Sequence, residues 1–172
     1  MSANLITKKV LMLGEIGVGK TSISRRLSFG HFGDNYKATI GVDIYSYDVK
    51  PDPEGIPFKF LVWDTDGSHG ESIFRQYFAR QAQAAMIVAD ITRPSTVESM
   101  LKLGRLYEDV MPGRYYAYIL NKVDLEEDPA VSEIRQRLIA TKIPVFQTSA
   151  LSGENVAEAF HDAAVEIMKL ER

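Results

Sequence analysis

The chain has 172 residues, 45 % of them hydrophobic and 25 % charged, which is enough for one well-buried core and too little for two. A net charge of −3 and an isoelectric point near 5.6, with no Lys/Arg-rich block, argue against a nucleic-acid or anionic-membrane surface. The absence of cysteine excludes disulfides, thiolate metal sites and cysteine nucleophiles; with no apolar run of ~18 residues and no signal-peptide core, the expectation is a single cytoplasmic domain over 1–172.

Apolar runs then alternate with helical patterns. Leu5 to Leu13 reads as a strand and Thr21 to Phe29 as a helix. Gly30 to Gly41 is polar and broken by glycines, about as long as an ordered loop gets without a functional reason. Val42 to Lys50 and Ile56 to Trp63 are two strands whose short Pro51–Gly55 link allows only an antiparallel hairpin. Glu71 to Gln81 reads as a helix. Ala84 to Ala89 is a continuous apolar run, the pattern of a strand covered on both faces. Ser95-Thr96-Val97-Glu98 reads as a capping box opening a helix to Met111. Tyr115 to Leu120 is a strand, Asp128-Pro129 caps and starts a helix to Thr141, and Pro144 to Thr148 is a short strand. Asn155 caps a last helix, in which Val156, Ala159, Phe160, Ala163, Ile167 and Met168 keep helical spacing. This alternation predicts an α/β fold, a mostly parallel sheet between helix layers, made mixed by the one hairpin.

Ligands of such sheets sit at the carboxyl ends of the strands. After the first strand comes Gly14-Glu15-Ile16-Gly17-Val18-Gly19-Lys20-Thr21, the phosphate-loop pattern in its strand–loop–helix setting. Its glycines let backbone N–H groups turn around an anion, the helix start adds its dipole, Lys20 reaches phosphate oxygens and the Thr21 hydroxyl suits Mg²⁺. After Trp63 comes Asp64, a carboxylate on the magnesium side. After Leu120 comes Asn121-Lys122-Val123-Asp124, and after Gln147 comes Thr148-Ser149-Ala150. The Asp124 carboxylate matches the paired donors of guanine, its N1–H and amine, whereas adenine would leave a lone pair facing it. Asn121 ties loops together and Lys122 lies along the base.

In these motifs the chain resembles the small GTPases of the Ras superfamily, and most of all the Rab branch. The resemblance rests on Gly14 to Thr21, Thr39-Ile40-Gly41-Val42-Asp43, Trp63-Asp64-Thr65, Asn121 to Asp124 and Thr148-Ser149-Ala150, and it runs over essentially the whole chain. It implies one G domain with the P-loop GTPase fold, a six-stranded mixed sheet with helices on both faces, GTP or GDP with Mg²⁺, and two switch segments. By the same resemblance Thr39 meets the metal and the γ-phosphate beside Thr21 and Asp64, Phe32 packs on the guanine, and Gly67 offers its N–H to the γ-phosphate. Ser149, Ala150 and Leu151 line the base, and Ser22 and Tyr36 complete the nucleotide contacts. The implied partners are an effector, an exchange factor and an activating protein, docking on Ile40, Gly41, Val42, Asp43, Ile44, an exposed Trp63 and Phe78. Ile44 and Phe78 stand where the Rab pattern has Phe and usually Tyr, so partner choice is expected to differ.

The departures cluster at the γ-phosphate. Asp64-Thr65-Asp66-Gly67-Ser68 replaces the family's Asp-Thr-Ala-Gly-Gln, so the water-orienting glutamine becomes the shorter Ser68. Asp66 brings a carboxylate toward an anionic ligand, and Ile16 crowds the approach of an arginine from an activating protein. The expected catalytic set is Lys20, Thr39, Gly67, Ser68 and His69, with His69 the candidate to stand in for the missing glutamine. His69 is either a water-orienting group or a solvated loop histidine; His31 and His161 are read as surface residues. Slow hydrolysis is expected, and three functions compete: a slowly hydrolysing switch, a GTP-locked binding module, and a nucleotide-binding scaffold that no longer switches. The chain stops at Leu170-Glu171-Arg172 without the lipidated cysteine tail that the resemblance implies. Either such a tail has been removed or the protein is an unlipidated relative, as in some prokaryotes; the lack of cysteine throughout favours the second, with no membrane anchor expected in this chain.

Overall fold

A computed structural model describes residues 6–31, 41–51, 53, 57–67, 74–75 and 79–172. Six strands form one sheet: β1 (Ile6–Leu13), β2 (Val42–Val49), β3 (Phe58–Thr65), β4 (Ala82–Asp90), β5 (Tyr115–Asn121) and β6 (Val145–Thr148), in the order β2-β3-β1-β4-β5-β6. Every pairing is parallel except β2 with β3. Among the described residues the helices are α1 (Lys20–Phe29), α2 (Pro94–Val110), α3 (Val131–Ala140) and α4 (Val156–Leu170). The expected mixed α/β architecture is therefore present.

The period-two alternation of the strands divides the core. Val10 and Met12 of β1, with Met86 and Val88 of β4, pack on α1 and α4, where Ile23, Phe160, Ala163 and Ile167 meet them. Their neighbours Leu11, Leu13, Ile87 and Ala89 face the other way, onto Val97, Met100 and Tyr107 of α2 and Ile134 and Leu138 of α3. A strand buried on both faces needs apolar residues at both parities, which is why β4 reads as an unbroken apolar run. β1 lies between β3 and β4, so the loop leaving its carboxyl end is held from both sides.

Several boundaries differ from the sequence expectation. β3 runs two residues past Trp63, because Asp64 and Thr65 still pair with Asp43 and Val42 of β2. Ser95 does not cap α2: the helix starts at Pro94, with Arg93 at the cap, and Thr96 turns its hydroxyl back to the Arg93 carbonyl at 2.8 Å while accepting the Asp90 N–H at 2.9 Å. The Asp128 carboxylate takes the Ala130 N–H at 2.9 Å one turn before α3, which begins at Val131. Asn155 stands at the cap of α4 in a left-handed conformation, φ 56°, and spends its amide on the Gln147 carbonyl at 2.9 Å. Of the helix expected from Glu71 to Gln81 only 74–75 and 79–81 are described; there the Ala79 N–H donates to the Phe74 carbonyl at 3.0 Å.

Candidate functional site

The carboxyl ends of β1, β3, β5 and β6 bring together those of the expected residues that are described. The Lys20 ammonium, 5 % exposed, donates to the Gly14 and Glu15 carbonyls at 2.7 and 2.8 Å. Three further carbonyls of the loop are gripped from its other side. Ile16 accepts from Arg93 at 3.0 Å, Gly17 from Lys122 at 2.9 Å and Val18 from Asn121 at 3.0 Å. In a trans peptide the C=O of one residue and the N–H of the next point opposite ways. Pinning these three carbonyls outward therefore turns the N–H groups of Gly17, Val18 and Gly19 inward, at the start of α1, into the concavity that an anion requires.

Gly19 and Gly67 are among the glycines fixed by close approach. Gly19 has φ 107°, and a Cβ there would lie 2.2 Å from Asn121 Nδ2. Gly67, φ 78°, rests against the loop: a Cβ would meet the Gly14 carbonyl oxygen at 2.5 Å and Lys20 Nζ at 3.0 Å. The main chain at Gly67 thus borders the ammonium that faces the terminal phosphate in the expected pose.

Burial pulls the Lys20 ammonium down to about 8, against the upward pull of Asp64, Asp66 and Glu15. Thr21 Oγ1 donates to Asp64 Oδ2 at 2.5 Å, and Asp64 is fully buried. A hydroxyl and a carboxylate within 2.5 Å of each other, beside the phosphate loop, are two hard oxygen donors at one point, which fits a magnesium ion. Asp66 accepts the Gly41 N–H on Oδ2 at 3.0 Å, and its own N–H donates to the Gly41 carbonyl at 3.1 Å. The residue expected to confront the γ-phosphate is thus tied to the chain entering β2, one step beyond the Val42–Thr65 pair.

At the other end a cavity of about 350 Å³ is lined by Gly17, Ser22, Lys122, Asp124, Ala150 and Leu151 among others. Asp124 accepts the Ser149 hydroxyl at 2.7 Å. Asn121 ties the two base-side loops, its Oδ1 accepting from Thr148 Oγ1 at 3.1 Å and the Ala150 N–H at 3.3 Å. Lys122, with φ 69°, also pairs with buried Asp90 at 2.8 Å. Burial pushes the Asp90 carboxyl up, but hydrogen bonds from Lys122 and Thr92 outweigh it and hold the group below its ordinary range.

Of the expected site residues, Phe32, Tyr36, Thr39, Ile40, Ser68, His69 and Phe78 lie outside the described residues. Ile16 is 56 % exposed and Ile44 55 %, but Trp63 is only half-buried rather than exposed, with Lys9 Nζ 4.0 Å from its ring centroid. His31 and His161 are exposed, as expected. Three residues at the site carry no motif signal: Asp90, Arg93 and Arg26. Arg26 donates to the Ala150 carbonyl at 2.9 Å and to that of Leu151, holding the base-side loop from α1.

The Ras family model matches residues 9–169. The chain is 34 % identical to Ras-related protein Rab-32B of Dictyostelium discoideum over 94 % of its own length and 65 % of that protein's, so it spans just under two thirds of this relative. It is 34 % identical to the Ypt/Rab-type GTPase YPT7 of Saccharomyces cerevisiae, covering 91 % of this chain and 79 % of the other, and 35 % identical to Ras-related protein RABA5b of Arabidopsis thaliana, covering 92 % and 74 %. With the phosphate loop, the β3 aspartate and the two base-side loops converging on one end of a β2-β3-β1-β4-β5-β6 sheet, the chain belongs to the Ras family, as a Rab-like small GTPase.

Proposed function

We propose that the protein is a guanine-nucleotide-dependent switch of the cytoplasm that binds GTP and GDP with Mg²⁺ and hydrolyses GTP slowly. The observation that carries this reading is the shared use of Asn121 and Lys122: both hold carbonyls of the phosphate loop while lining the same cavity as Asp124. Thr21 and Asp64 would hold the magnesium ion, which neutralises charge on the phosphates. Lys20 and the N–H groups of 17–19 bind those phosphates, and Gly67 closes over the terminal one. Thr39, Ser68 and His69 enter on sequence grounds alone, as does the docking of effector, exchange factor and activating protein on the face from Ile40 to Ile44, Trp63 and Phe78.

The slow rate rests on Ser68, which lacks the reach to orient water, and on exposed Ile16, whose branched chain crowds a partner's approach. The Asp66–Gly41 link favours a second reading, a GTP-locked binding module, because its two hydrogen bonds join the flanks of both switch segments. The nucleotide carried by the purified protein separates the two: GDP supports the switch, GTP the locked module. Titration with labelled GTP, GDP and ATP in magnesium tests binding itself, and affinity for ATP equal to that for GDP overturns the proposal. In the same assay Asp124→Asn should move preference from guanosine to xanthosine nucleotides by at least about tenfold, as expected when one buried polar match is exchanged for another.

A further inference from the structure

Three donors hold the outer carbonyls of the phosphate loop, and two of them, Asn121 and Lys122, come from the base-side motif. The third does not. Arg93 sits between β4 and α2, where its Nη1 donates to the Ile16 carbonyl at 3.0 Å and its Nη2 lies 3.7 Å from Glu15 Oε2. Glu15 in turn accepts the Ser99 hydroxyl from the second turn of α2. One guanidinium therefore fastens two consecutive loop residues, one by its backbone and one by its side chain, to the start of a helix whose core face is buried on Val97 and Met100.

From this we infer that Arg93 is a positioning residue for nucleotide binding: by holding the Ile16 carbonyl outward it aims the Gly17 N–H at the phosphates. The inference rests on the proposed function and adds to it a residue outside the nucleotide-binding motifs. The geometry is specific to a forked cation. The fork can engage a carbonyl and a carboxylate together, whereas an ammonium at the end of a lysine presents a single point of charge. The adjacent position needs this support because Ile16 is exposed and its side chain does nothing to anchor the loop. Gly17 follows with φ 80°, a conformation from which the peptide flips readily unless something holds it.

The test measures GDP dissociation from the magnesium-loaded protein, together with the ¹H–¹⁵N signal of Gly17. Arg93→Ala should speed dissociation about five- to tenfold, the range for losing a partly exposed charged hydrogen bond, and should shift the Gly17 signal. Arg93→Lys should recover only part of the slow release, because one ammonium can hold the Ile16 carbonyl or the Glu15 carboxylate but not both, and Arg93→Gln should fall between Arg93→Lys and Arg93→Ala. Glu15→Gln combined with Arg93→Ala should add little to Arg93→Ala alone. If the parent protein releases GDP slowly while Arg93→Ala and Arg93→Gln match its rate and leave the Gly17 signal in place, the inference fails and the proposed function stands. If the parent binds no guanine nucleotide, the proposed function fails and takes this inference with it.

Discussion

Lys20 is a buried cation, and its burial shows in its acidity. Its folded value of about 8 lies below the unfolded 10.5. Between those values the folded chain binds fewer protons than the unfolded one, so the stability of the nucleotide-free protein should rise as pH increases from about 8 to 10.5. An anion beside the ammonium restores the charged form. Nucleotide binding at pH 9 should therefore take up close to one proton, and binding at pH 7, where the ammonium is already formed, almost none. Calorimetry in two buffers of different ionisation enthalpy measures this uptake. Equal uptake at both pH values would remove Lys20 from the phosphate site. The loop carrying it was legible in the sequence because glycine spacing and a lysine–threonine pair are local features. Arg93 and Asp90 were not, since each acts on residues some eighty or thirty positions away, and an arginine or aspartate at a strand–helix junction has ordinary local reasons to be there.

At the scale of elements, contact between α2 and β5 is set by one glycine. A Cβ at Gly104 would stand 2.3 Å from the hydroxyl oxygen of Tyr118, itself 2 % exposed. Alanine is normally the better helix former by about 1 kcal/mol, yet here Gly104→Ala should lower the melting temperature by several degrees, because helix and strand must part to admit the methyl group. Tyr118→Phe removes the crowded oxygen and should recover part of the loss. Additive effects in the double variant would show that the two do not meet. The β2–β3 hairpin makes a second case. Its antiparallel sense followed from a short Pro- and Gly-containing link, but the length of β3 did not: Asp64 and Thr65 look like turn residues in sequence and become strand because β2 supplies partners. The same ladder continues to Gly41 and Asp66. Asp66→Ala with Ser68→Gln should therefore raise single-turnover GTP hydrolysis by freeing one flank and restoring the water-orienting amide, by about tenfold or more. An unchanged rate would count against Asp66 and Ser68 as the cause of the proposed slow hydrolysis. Ser95 failed as a cap because Thr96 reaches the Asp90 N–H and the Arg93 carbonyl, a choice that depends on where the strand end lies.

Over the whole molecule, the described grips on the loop come from α1, from the entry to α2 and from the end of β5, so filling the site should stabilise the entire domain. At a hundredfold excess over its dissociation constant, GDP with magnesium should add about 2.7 kcal/mol and raise the melting temperature by roughly 5–10 °C, while ATP at the same concentration leaves it in place. A rise of equal size with ATP would contradict the base selectivity argued for Asp124. The overall architecture was the most legible level, since alternating apolar runs specify it many times over, whereas the order of the strands came only with the structure. The meeting of Lys122 with both Gly17 and Asp90 has a further consequence. One ammonium serves as a hinge pin common to the two halves of the binding site. A force that draws the 121–125 loop aside should also loosen the chain around the phosphates, so nucleotide release is expected to follow a single kinetic phase.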